Sequence, residues 1–392
     1  MTGNNSTEKS AALLKSAFRE YYFNHSKLLE IPEHLEQREF GYMPFGSGMI
    51  RHLSFRSRGD LLATLIRDVP ADVYCSNAYY RFPTYPMQEK HWLGADLIFD
   101  IDAKDLHLPC ELGHSYYICA RCSEVSSVKS EVCLSCKSAT LNQISIPCSK
   151  CISALKKEVR RLIVVLTTDL GIEEESVSVY FSGNNGFHIT VSDKSFNPLD
   201  SVGRSDVVSY LAGTNIMTES IGVRKSRDQS GNDFLIKFPK SGLYYGWRKV
   251  IADKLAIDQS SVVKLSNFVL RNGGYEGFKS ELGKMAKTLG VRIDPQVTMD
   301  IHRIFRMPGT INSKSGLVKM RCNDLESFDP LYDACLLGGR EVEVKTKISS
   351  QIILKLRGQA FKIKGSILEV PLFVAVYLIC KGLAELPTEA NP

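Results

Sequence analysis

Three groups of residues in this chain have the types and spacing that chemistry requires. The first is the acid pair closing Leu97-Ile98-Phe99-Asp100-Ile101-Asp102. Side chains alternate along a strand, so Asp100 and Asp102 point to one face with α-carbons roughly 6.6 Å apart. Carboxylates at that spacing can converge on two divalent ions about 3.5–4 Å apart, which activate a hydroxyl and neutralise a nucleoside triphosphate. The apolar residues ahead of the pair predict a buried strand, so the acids emerge at the end of a rigid element. D-x-D is common, and on its own the pair reads more readily as a solvated strand end. Asp96 and Asp105 lie nearby.

The second group is Ser182-Gly183-Asn184-Asn185-Gly186, set between the apolar segments 179–181 and 187–191. Glycines let a backbone turn tightly and bring N–H groups close to phosphates. Ser182 adds a hydroxyl and His188 an imidazole donor. An ordinary hairpin with an Asn-Gly turn is the bland alternative.

The third group runs Cys110-x3-His114-x4-Cys119-x2-Cys122-x10-Cys133-x2-Cys136-x11-Cys148-x2-Cys151 and holds seven of the eleven cysteines. Each C-x2-C pair supplies two thiolates from one tight knuckle. Eight potential ligands suggest two closed, structural, tetrahedral zinc sites. Cys75, Cys322, Cys335 and Cys380 are isolated and read as buried apolar residues.

The elements that must position these groups follow from periodicity. A helix is predicted over 11–30 from the stripe Leu13, Leu14, Phe18, Tyr21 and Tyr22, then a hairpin around Gly46 and Gly48. Asp60–Arg67 begins a second helix, and 93–102 is the acidic strand. A third helix is predicted from N-cap Ser153 to Gly171, followed by strands 177–181 and 187–191. Residues 204–290 read as mostly helical, 297–321 as strand and turn, and 351–385 as one or two further elements. Irregular alternation of helices and strands, without repeats, indicates a mixed α/β (α+β) fold.

Composition fits an ordinary globular chain: 44% hydrophobic, 23% charged, net charge +6 and pI ≈ 8.6. This permits a polyanionic partner without requiring one. The N-terminal residues lack a signal-peptide core. The longest apolar run, from Val370 to Cys380, is far short of the roughly 20 residues of a membrane span. No membrane association and a cytoplasmic location are therefore expected.

Five segments, in order, resemble the archaeo-eukaryotic primase family, and within it the DNA primase small subunit. They are Arg38-Glu39-Phe40-Gly41 with Ile50-Arg51-His52-Leu53-Ser54-Phe55; Trp92 to Asp102; Ser182 to His188; Arg292-Ile293-Asp294; and Ile301 to Gly309 with Lys314-Ser315-Gly316. The resemblance implies the primase catalytic fold, spanning 1–109 and 152–392 with a helical part at about 204–290. Residues 110–151 would be an inserted zinc-binding module. It implies that Asp100, Asp102 and Asp294 hold two Mg²⁺ or Mn²⁺ ions. Ser182, Gly183, His188, Arg303 and Arg306, with Arg51 and Lys314, would contact the triphosphate. Asp300 competes with Asp294 for the third carboxylate, and the Arg292-Ile293-Asp294 match favours Asp294.

For zinc, the resemblance implies a C-x3-H…C-x2-C site. The nested set is then Cys110, His114, Cys148 and Cys151, with Cys119, Cys122, Cys133 and Cys136 as an inserted ribbon. Sequential pairing remains open, as does one zinc ion against two. Two departures fall in the phosphate region: Asn185 stands where relatives often carry Arg, and Asn312 where some carry His. Arg81 or Arg224 is a possible replacement cation.

The implied activity is template-directed synthesis of short primers de novo on single-stranded DNA from NTPs or dNTPs, in a heterodimer with a primase large subunit. The alternatives are a primase-polymerase of repair or replication restart that acts without a large subunit, and a zinc-ribbon nucleic-acid-binding protein with an inactive polymerase site. Agreement at both ends of the chain opposes the first. The three carboxylates oppose the second.

Overall fold

The computed structural model describes residues 3–226, 231–238, 245–257, 262–348, 351–365 and 367–387. Its centre is built from two four-stranded antiparallel sheets. One runs in the order Met320–Arg321, Val177–Phe181, Gly186–Val191, Leu97–Asp102. The other runs Ile304–Arg306, Asp72–Ser76, Phe40–Met43, Ile50–Leu53.

Alternation divides the first sheet cleanly. Leu97, Phe99, Ile101, Val179, Phe181, Phe187 and Ile189 are buried on one face. Helix Ser149–Thr168 covers that face with Leu155, Val159, Leu162 and Leu166, spaced for one helical stripe. The opposite face carries Ile98, Asp100, Asp102, Ser178, Tyr180, His188 and Thr190, and it meets the second sheet through Ile98, Phe305 and the His188 ring, which lies 5.6 Å from that of Phe305. A helix-backed face and a polar face toward a partner sheet leave the acids on rigid strands.

Segment 291–321 links the two sheets. Asp294 N donates to Asp100 O at 3.0 Å. Residues 304–306 then join the second sheet and 320–321 the first. Within 204–290, helices Gly246–Leu255, Val262–Arg271 and Gly274–Leu289 with strands Val223–Lys225 and Phe234–Ile236 bury a separate cluster around Trp247, Phe278 and Leu282.

Several boundaries differ from the sequence reading. The first helix spans Gly3–Asn24 and not 11–30. Its polar early turns are covered by the C-terminus, where Leu386 N donates to Ser10 Oγ at 2.9 Å. The third helix begins at Ser149 with Cys148 as N-cap, four residues before Ser153, because its first turn carries the last cysteine pair inward. In 297–321 a short helix, Pro295–Met299, follows N-cap Asp294, whose carboxylate accepts from Gln296 N at 3.0 Å. Asp-Pro is an N-terminal helix signal, and proline suits the first helical position. The C-terminal tail folds as strands Ile352–Leu356, Gln359–Ile363, Ile367–Pro371 and Ala384–Glu385 with helix Leu372–Cys380, more than the one or two elements expected. That helix is buried almost throughout. Cys75, Cys322 and Cys335 are buried as expected; Cys380 is half-buried. Among the described residues no helix is long and apolar enough to cross a membrane.

Candidate active site

The ladder that sets the acidic strand also sets its neighbour. Gly186 pairs with Asp102 and His188 with Asp100. A methyl group at Gly186 would lie 2.6 Å from Ile101 O, so glycine is what lets the two strands close at this point. Asp100 is flanked by Asp102 on its own strand and by Asp294 across the backbone bond from Asp294 N. Burial first, then those two carboxylates, push the Asp100 pKa up to about 7. Burial also raises that of Asp102, opposed by Lys104, whose Nζ is 3.9 Å away. Asp300 is placed elsewhere. Its carboxylate accepts from His302 N at 3.0 Å, and the His302 ring stacks on Tyr80.

On the neighbouring strand, burial and then the cations Lys319, Arg306 and Arg303 hold His188 well below its usual pKa. Its Nε2 lies 3.6 Å from Asp100 Oδ1. A neutral ring at that distance forms neither an ion pair nor a hydrogen bond. The buried Nδ1 has no hydrogen-bond partner among the described residues. Arg303 is exposed, its guanidinium 5.8 Å from the Phe305 ring centre. Arg306 is buried and turned to Asp72, which also accepts from Ser313 N and Oγ. Arg51 donates to the buried Glu39 at 3.0 Å.

The glycine turn is held from several sides. Ser182 Oγ accepts from Asn184 N and Gly186 N at 3.4 and 3.3 Å, leaving its proton for another acceptor. Gly183 has φ +84°, and a methyl there would lie 2.9 Å from Asn312 Cβ. Asn312 donates to Ser182 O at 3.3 Å and accepts from Lys314 N at 3.0 Å, so it binds the turn to the exposed Lys314 loop.

Neither cation considered as a replacement at Asn185 is found there. Arg81 lies over Phe82, and Arg224 sits on the strand pair of the second core. The cation at the turn is Lys381, which follows helix Leu372–Cys380. Its Nζ donates to Asn184 Oδ1 at 2.7 Å and Ser145 O at 3.0 Å, and lies 3.5 Å from Asn185 Oδ1. The sequence reading missed Lys381 because a lysine ending an apolar run carries no motif. It also missed the buried Lys319, which donates to Arg306 O at 2.9 Å and whose pKa burial lowers to about 7. A lysine among apolar residues just before the short strand Met320–Arg321 is an equally weak signal.

The cysteines assemble in the nested pattern. Ligand atoms of Cys110, His114, Cys148 and Cys151 lie within 4.8 Å of one another, as do those of Cys119, Cys122, Cys133 and Cys136. Sulfur–sulfur separations of 3.5 Å for Cys110–Cys151, Cys119–Cys136 and Cys122–Cys133, and 3.8 Å for Cys148–Cys151, fit the edge of a tetrahedron. With Zn–S near 2.3 Å that edge is about 3.8 Å. His114 turns Nε2 to Cys151 Sγ at 3.2 Å and Nδ1 to Ser145 Oγ at 3.1 Å, so a second polar contact orients the ring. The three-stranded sheet Val125–Ser126, Ser115–Cys119, Leu141–Ser145 carries the ribbon. The three aspartates are spread more widely than either cluster.

Residues 140–323 match the family model described as DNA primase small subunit. The DNA primase small subunit PriS of Nitrosopumilus maritimus is 43% identical, over 97% of this chain and 99% of that protein. The protein of the same name from Cenarchaeum symbiosum is 40% identical over 96% and 99%. That from Archaeoglobus fulgidus is 33% identical over 94% and 96%.

Proposed function

The chain belongs to the DNA primase small subunit family and acts as a DNA primase, a nucleotidyltransferase; from that premise we propose that Asp100, Asp102 and Asp294 are its metal-binding carboxylates. The observation carrying this reading is geometric: Asp100 and Asp102 share one face of strand Leu97–Asp102, and Asp294 is bonded to that strand through its N–H on Asp100 O at 3.0 Å. Burial and the two neighbouring carboxylates thereby push the Asp100 pKa up. A set of acids that suppress one another's ionisation fits divalent cations. When bound, Mg²⁺ or Mn²⁺ would activate the attacking 3′-hydroxyl and neutralise charge on the triphosphate.

The chain's own groups do the rest by positioning and electrostatics. The Ser182 hydroxyl and the backbone of Gly183 would receive phosphate oxygens. Neutral His188 would donate one hydrogen bond without competing for the carboxylates. Arg303 would supply mobile positive charge from the exposed side, with Lys314 and Arg51 at the rim. Arg306, committed to Asp72 and Ile311 O, would act from behind on His188.

Both cysteine clusters would hold structural zinc, since four protein ligands leave no open position. We place the catalytic domain at 1–109 and 152–392 with the zinc module at 110–151 inserted in it. The partners in this reading are single-stranded DNA, NTPs or dNTPs, and a primase large subunit. Near full-length similarity to small subunits does not favour a primase-polymerase of repair or an inactive binding protein.

The test is primer synthesis on single-stranded DNA with labelled NTPs and dNTPs. Asp100→Ala/Asp102→Ala should abolish a metal-dependent product while leaving zinc content and melting temperature near those of the wild type. Undiminished synthesis by the double variant rejects the metal assignment.

A further inference from the structure

We infer that Lys381 is a positioning residue for nucleotide binding, locking the 182–186 turn to the zinc module. The inference rests on the proposed role of that turn.

Lys381 is 5% exposed, and its ammonium is spent almost entirely on this region. It donates to Asn184 Oδ1 at 2.7 Å and to Ser145 O at 3.0 Å. Asn185 Oδ1, at 3.5 Å, completes the surroundings. The Tyr377 ring centre lies 5.6 Å away. An ammonium has three donors and no acceptor, so a site of three oxygens fits it. Burying a cation is costly unless it is hydrogen-bonded, and burial indeed draws its pKa down to about 8.

The three acceptors come from two parts of the chain, both far from Lys381 in sequence. Asn184 and Asn185 form the tip of the turn whose flanks carry Ser182 and Gly186. Ser145 is the last residue of strand Leu141–Ser145 in the zinc module, and its hydroxyl orients His114. Lys381 itself is delivered by the buried helix Leu372–Cys380, which has little freedom to move. Releasing the ammonium removes the side-chain hold on Asn184 and Asn185, while Ala103 N still donates to Asn185 O at 3.1 Å and Asn312 still holds the base of the turn at Ser182 O.

The consequence is specific. Lys381 does not face solvent, so it acts on substrate only through the turn. Its loss should weaken nucleotide binding and leave turnover at saturation nearly unchanged, because Asp100, Asp102 and Asp294 are held by other bonds. Zinc removal should loosen the same turn, since Ser145 is one of the three anchors.

The experiment measures steady-state primer synthesis and hydrogen exchange of the 182–186 amides for wild type, Lys381→Met, Lys381→Arg and Asn184→Ala. Lys381→Met should raise the nucleotide KM about tenfold, change kcat less than twofold, and speed exchange in the turn. Lys381→Arg should recover part of both effects. Asn184→Ala is the milder variant, because Asn184 is half-exposed. It should reproduce the change in KM, and in the double variant the two effects should fall short of additive. Turn exchange unchanged in both Lys381→Met and Asn184→Ala overturns the inference. So does faster exchange with an unmoved KM, or a loss confined to kcat. Failure of the metal assignment is distinguishable: it appears as activity surviving the loss of Asp100 and Asp102, whatever the turn does.

Discussion

His188 stands opposite Asp100 in the antiparallel ladder, with Nε2 3.6 Å from Asp100 Oδ1, and marks the seam between an acidic and a basic half-site. On one side are Asp100, Asp102 and Asp294. On the other are Lys319, Arg306 and Arg303, which together with burial keep the imidazole neutral. A protonated histidine here would neutralise Asp100 and compete with cations. The neutral ring separates the two charge sets without cancelling either.

The third carboxylate is separable by mutation. The Asp294 and Asp300 carboxylates each accept from a backbone N–H two residues on, but Asp294 is also bonded through its own N–H to Asp100 O and its charge raises the Asp100 pKa, whereas Asp300 sits beside His302 and Tyr80. Asp294→Asn should lower kcat at least a hundredfold. Asp300→Asn should stay within a few-fold of wild type. Rate assays at saturating Mn²⁺ that gave the opposite ranking would move the site to Asp300.

Protein prepared without added magnesium or manganese should show an inverted pH response at Asp100. Its carboxyl keeps a proton up to about pH 7 in the fold and only to about 3.8 in the unfolded chain. Between these values the folded state binds the extra proton, so this group's contribution to stability falls as pH rises through the window. The ceiling is ~4 kcal/mol at about 1.4 kcal/mol per pKa unit. Asp100→Asn should therefore melt several degrees above wild type at pH 8, with the gain vanishing near pH 4. Equal melting temperatures at pH 8 would contradict the raised pKa.

Zinc stoichiometry tests the nested clusters. Mass spectrometry of the purified chain should find two zinc ions. Cys119→Ser/Cys136→Ser should retain one. Cys110→Ser/Cys148→Ser should also retain one but lose more thermal stability, since Cys148 and Cys151 begin the helix backing the catalytic sheet. A single zinc in the wild type would reject the two-site arrangement.

Gly186→Ala probes the close approach of the two catalytic strands. The new methyl would meet Ile101 O at 2.6 Å and Asp102 Cα at 3.1 Å. Forcing the strands apart should cost roughly 1–3 kcal/mol of stability, as overpacking does. It should also reduce primer synthesis more than tenfold by displacing Asp102. Calorimetry and activity assays on the variant check both. Wild-type activity would mean that the Asp102 position is not critical.

Much of this site is legible in the sequence. The face shared by Asp100 and Asp102 follows from strand alternation. The sharp turn at Gly183 follows from its neighbours, and the C-x2-C knuckles announce their own geometry. These are local properties, dictated by backbone periodicity and residue chemistry over a few positions. The helix covering the catalytic sheet was also readable from Leu155, Val159, Leu162 and Leu166, though its start was not. Ser153 looked like a cap, but the ligand cluster draws Cys148 and Cys151 into the first turn.

What the tertiary structure alone decided are the long-range meetings. Cys110 and His114 pair with Cys148 and Cys151 across an intervening ribbon, a choice that spacing left open. Arg306, for which the family resemblance implies a triphosphate contact, is turned to Asp72. Lys381 reaches the glycine turn from nearly 200 positions away, a separation of 197 to Asn184. Sequence patterns encode which groups are available within a turn or a strand. Which distant groups are buried against one another depends on the packing of whole elements, and that packing also sets the charge on Asp100, His188 and Lys381.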